Sequence, residues 1–149
     1  MVDISGNAAA YFVSMTIDEI GGGSGRTLTY GELGVESGRI GAMLELHGVG
    51  PEQRALLLMT DTADFPVVFW GAVKAGVVPV PINTMLSTEL YAAILADSRA
   101  RALFVSRELL PVVAALLPGH PHLRAVFGEQ YLEYCRRVSR WLPRRPISG

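Results

Sequence analysis

Between Arg54 and Asn83 the chain runs through blocks of opposite character: RALLLM, TDT, ADFPVVFWGAVKAG and VVPVPIN. The unbroken apolar run Ala55 to Met59 predicts a strand buried on both faces. Thr60, Asp61 and Thr62 bring small oxygen-bearing side chains suited to capping a helix. Phe65, Phe69, Ala72, Val73 and Gly76 then recur at helical spacing and predict one apolar face. Pro66 fits in the first turn, where a missing N–H removes little helical hydrogen bonding. Gly76 is suited to the left-handed conformation that ends a helix, and Val77 to Pro81 resumes an extended chain. The unit predicted is one β-α-β crossover with parallel strands.

The same alternation extends in both directions. Asn7 to Ile20 reads as helical, with Tyr11, Phe12 and Met15 as anchors, and the glycine-rich run Gly21 to Thr27 as a flexible connector. That run is a near miss for a phosphate-cradling loop, which would need glycine at Ile20 and lysine at Arg26; MTIDEI before it reads as a poor strand. Thr29 and Glu32 have capping-box spacing, flanked by Leu28 and Leu33 at the staple positions. Tyr30, Leu33, Ser37, Ile40, Leu44 and His47 make one helical stripe, thinned by Gly31, Gly34, Gly38 and Gly41. His47, next to Gly48, suits the negative end of that helix. Downstream, Ser87 or Thr88 caps a helix with Leu90, Ile94 and Leu95 facing inward. Ala102 to Val105 is a third strand, Arg107 to Leu117 a helix stopped by Pro118-Gly119, and Leu123 to Phe127 a fourth strand. The fold class expected is α/β: a doubly wound, mainly parallel sheet with flanking helices.

Composition narrows the function. The 149 residues are half apolar, 18% charged and carry a net charge of −1, which argues against a disordered chain and against a dedicated nucleic-acid binder. The charge is uneven: residues 1–128 hold 12 acids and 8 bases, whereas 129–149 hold 2 acids and 5 arginines. In that tail Tyr131, Cys135, Val138 and Leu142 share one helical face, with Arg136, Arg137, Arg140 and Arg144 largely opposite, a pattern found on surface helices, membrane-surface helices and partner-binding helices. Cys135 is the only cysteine, so no internal disulfide is expected. The N-terminus lacks a signal-peptide layout, and Lys74 interrupts the most apolar region before it reaches transmembrane length. A soluble, cytoplasmic chain is expected.

Two segments carry a family resemblance of their own. LTYGEL (Leu28 to Leu33) and VKAGVVPVPIN (Val73 to Asn83) resemble the first and second core motifs of the adenylate-forming superfamily, the acyl-CoA synthetases. DTADFP (Asp61 to Pro66), PVPINTMLS (Pro79 to Ser87) and DSRARALFVS (Asp97 to Ser106) are most similar to benzoate–CoA ligases and related aryl-CoA ligases. The resemblance runs over roughly residues 6 to 127 and stops at Gly128. It implies that residues 1–127 are a partial N-terminal subdomain of a ligase and 128–149 a divergent tail. The family also has a short strand pair before LTYGEL, which GGGSGR looks too short and too glycine-rich to supply.

The resemblance implies ATP, Mg²⁺ and CoA as cofactors of the intact enzyme, and an aromatic carboxylate that is first adenylated and then passed to CoA. The phosphate loop, the acidic Mg²⁺ ligands and the lysine of the mobile C-terminal domain are not recognisable here, and the phosphate loop is expected downstream of residue 149. No catalytic, cofactor-binding or metal-ligating residue is therefore assigned. Lys74, the only lysine, is expected to snorkel from its helix. His120 and His122 flank Pro121 with no evident third ligand. Should the chain bind a small molecule, fold physics directs it to the carboxyl ends of the strands, edged by Thr60, Asp61, Asn83, Thr84 and Ser106; their spacing equally suits helix caps. Three readings stand: the N-terminal part of an aryl-CoA ligase, inactive alone; a truncated, non-catalytic relative that binds partners; and a small-molecule-binding α/β domain sharing the framework. Self-association through an exposed sheet edge is a further expectation.

Overall fold

The computed structural model describes residues 16–18, 26–118 and 120–128. The expected N-terminal helix residues 7–15, the glycine-rich run 21–25 and the basic tail 129–149 lie outside them.

The chain opens on a correction. Thr16–Asp18 is a strand, β1, paired antiparallel with β2, Thr27–Thr29, in the register Ile17↔Leu28. The helical reading of this stretch fails at these residues, and the strand pair judged too short to form is present.

Thr29 then caps α1, Tyr30–Leu46, with its side chain accepting from the Glu32 amide. Glu32 reaches back to the Thr29 N–H at 2.9 Å, which completes the capping box. These bonds, backbone first and then hydroxyl, hold the Glu32 carboxyl below the usual carboxylate range. Leu28 and Leu33 are both buried. The predicted stripe holds at Leu33, Ser37, Ile40 and Leu44, joined by Gly41 and Met43. His47 is the C-cap, its ring Nδ1 2.9 Å from the Met43 carbonyl.

Two helices end in the same way. After α1, the Gly48 amide bonds the Glu45 carbonyl and the Val49 amide that of Leu44, both at 2.9 Å. After α2, Asp64–Lys74, the Gly76 amide bonds Val73 and the Val77 amide bonds Ala72. Both are Schellman closures, and both glycines sit at φ +70. The predicted helix end at Gly76 is therefore present.

Four parallel strands form the main sheet: β3, Arg54–Leu58; β4, Val78–Pro81; β5, Ala102–Val105; and β6, Ala125–Gly128. Their spatial order is β4-β3-β5-β6, with Leu56 beside Val80 on one side and Leu103 on the other. β3 and β5 are central, so their residues Ala55–Leu58 and Ala102–Val105 are buried on both faces. On one face Ala55, Leu57, Ala102, Phe104 and Phe127 pack with α1 and α2. On the other Leu56, Leu58, Leu103 and Val105 pack with Tyr91 and Leu95 of α3, Thr88–Ser98, and Val113 of α4, Leu110–Ala114.

Several faces differ from the hydropathy reading. In α2 the buried residues are Val67, Val68, Gly71 and Ala72, while Phe65 and Phe69 are half-buried and Val73 is exposed. Gly71 sets that face: it brings α2 so close to α1 that its side of the helix must turn inward. In α3, Tyr91 and Leu95 face the sheet and Leu90 is 51% exposed. Tyr91 wins because its hydroxyl holds the preceding loop through the Asn83 carbonyl and the Leu86 amide. The segment 107–117 contains only a short helix, Leu110–Ala114, with Pro111 in its first turn.

Candidate functional site

The chain order reverses direction across the sheet between β3 and β5: β4 lies on one side of β3, and the chain then returns to β5 on the other. Open α/β sheets bind ligands outside the carboxyl ends of strands at such a switch point. Thr60 and Ser106, two residues selected from the sequence, meet there. The Thr60 amide donates to Ser106 Oγ at 3.0 Å, and the two hydroxyls lie 3.2 Å apart. The Ser106 amide in turn donates to the Leu58 carbonyl. Ser106 is fully buried, so the pair locks the ends of β3 and β5 together.

The other three selected residues are not drawn into this contact. Asn83 Oδ1 accepts from the Met85 amide in a local turn, Asp61 is exposed, and half-buried Thr84 follows Asn83 into that turn. The cap reading also needs correcting. The N-cap of α2 is Ala63, with no side-chain cap bond, because the Phe65 amide already reaches the Thr62 carbonyl in the turn before the helix. Ser106 serves α4 through its backbone carbonyl, which accepts from Leu109 and Leu110. Ser87 is the one true cap among the downstream candidates; its hydroxyl, followed by the Glu89 amide, holds the Glu89 carboxyl below its usual range.

Chemically the site is quiet. Among the described residues neither hydroxyl is hydrogen-bonded to a histidine, carboxylate or lysine, the partners that would activate a serine as a nucleophile. Lys74 Nζ is committed elsewhere, donating to the Gly34 carbonyl at 2.8 Å and Ser37 Oγ at 2.7 Å, where it ties α2 to α1. Among the described residues no group of three histidine, cysteine, aspartate or glutamate side chains converges as a metal site. The His120 and His122 rings lie 6.2 Å apart without a third ligand. His47 is half-buried and stands edge-on to Phe127, ring centroids 5.1 Å apart.

Two structural residues were not legible as such. Arg26, read as the end of a connector, bonds both Glu36 and Asp64 and so links β2, α1 and α2. Burial lowers the pKa of its guanidinium, but the Glu36 hydrogen bond and the charges of Glu36, Asp64 and Glu32 outweigh that and raise it. Gly71 has no room for a Cβ, which would lie 2.5 Å from Ile40 Cβ. The small-residue cluster Gly71, Ala72 and Ala75 opposite Gly41 was the available signal.

What this scaffold belongs to is decided by likeness over most of its length. The AMP-binding enzyme family matches residues 5–135. The chain belongs to the AMP-binding enzyme family. Within this family it is 44% identical over 128 residues to a 4-hydroxybenzoate–CoA/benzoate–CoA ligase of Rhodopseudomonas palustris, covering 82% of this chain and 24% of that protein. It is 45% identical over 96 residues to the benzoate–CoA ligase of Thauera aromatica, covering 64% of this chain and 18% of that one. Among solved structures, a benzoate CoA ligase from Burkholderia xenovorans LB400 superposes with a TM-score of 0.72 at 33% identity, over 95% of this chain and 30% of its own. The chain thus spans about a quarter of the length of its R. palustris relative. No helix among the described residues is long and apolar enough to cross a membrane.

Proposed function

We propose that this chain is the framework part of an ATP-dependent aryl-carboxylate–CoA ligase acting on a benzoate-like acid, and that alone it carries out no ligation. The observation that carries the reading is the 44% identity, over 82% of the chain, to a ligase named for benzoate and 4-hydroxybenzoate. The geometry supports the second half: the hydroxyls at the switch point bond each other, and the only lysine bonds α1. In the intact enzyme, ATP, Mg²⁺ and CoA are held by residues other than those described here. What this chain supplies is the packed β3/β5 floor and the two Schellman-closed helices behind it. The reading carries with it a cytoplasmic location and an aromatic carboxylate as substrate.

The test is a direct assay of the purified 149-residue chain with ATP, Mg²⁺, benzoate and CoA. No benzoate-dependent pyrophosphate and no benzoyl-CoA are expected above a no-protein control. Benzoate-dependent release of pyrophosphate by this chain would overturn the framework assignment.

A further inference from the structure

We draw no further inference here: the strongest candidate, the outer edge of β6 in the main sheet, meets no further strand among the described residues, and nothing in the structure shows what covers it.

Discussion

Replacing Gly71 with alanine tests the packing of the scaffold where it is tightest. A Cβ built there lies 2.5 Å from Ile40 Cβ, 2.6 Å from Ile40 Cγ2 and 2.9 Å from the Ser37 carbonyl oxygen. Unstrained carbon contacts lie near 3.5–4.0 Å, so the overlap is about an ångström and part of it is with backbone. Side-chain rotation cannot remove a clash with Ile40 Cβ, so α1 and α2 must move apart. Overpacking of this kind costs about 1–3 kcal/mol, and the backbone contact puts it toward the upper end. Removing a helical glycine returns about 0.5–1 kcal/mol, leaving a net loss of about 2 kcal/mol. Separation also strains the Lys74 bonds to Gly34 and Ser37 on the same helix pair. For a domain of this size the melting temperature should fall by roughly 10 °C. Urea and thermal melts of Gly71→Ala beside the parent measure it. A variant as stable as the parent, with an unchanged urea midpoint, would show that the helices are not held at this distance.

Two further predictions use the same melts. Gly76→Ala, at φ +70 with Pro51 Cβ 3.2 Å from the added carbon, should destabilise by about 1 kcal/mol or more, whereas Gly38→Ala, with open space around it, should be neutral or stabilising; equal effects would refute the Schellman assignment. Because Glu32 has a depressed pKa in the fold, its contribution is fully present above the ordinary value of 4.5 and is lost as pH falls through the folded value. Glu32→Gln should therefore flatten the acid limb of a stability–pH profile and leave its neutral plateau sloping as before; an unchanged acid limb would rule out the capping box as its source.

Much of the architecture was legible because its signals are local and chemical. Thr29 and Glu32 announce a cap by their spacing, Gly76 announces a helix end, and the bluntness of Ala55–Met59 and Ala102–Val105 announces central strands. What failed depended on tertiary approach. The face of α2 is chosen by Gly71 meeting Ile40, and glycine carries no hydropathy signal to show it. The inward turn of α3 is chosen by a hydroxyl on Tyr91, which a hydrophobic count passes over in favour of Leu90. β1 is not legible because a three-residue strand is held by its pairing with β2, which no local pattern reports. At the site, Thr60 and Ser106 were correctly placed at the carboxyl edge, but their mutual bond spans 46 residues of sequence and no spacing rule reports it.

The claim that this chain is the framework of an aryl-CoA ligase is tested most directly by a graft. Residues 26–128 replace their counterpart in the R. palustris 4-hydroxybenzoate–CoA/benzoate–CoA ligase, and formation of benzoyl-CoA and 4-hydroxybenzoyl-CoA is followed against the recipient. The expected result is a folded chimera whose kcat/KM stays within about tenfold, roughly 1.4 kcal/mol, of the recipient and whose ratio between the two acids is unchanged. A folded chimera that forms neither thioester, or one that reverses the preference between the acids, would contradict it.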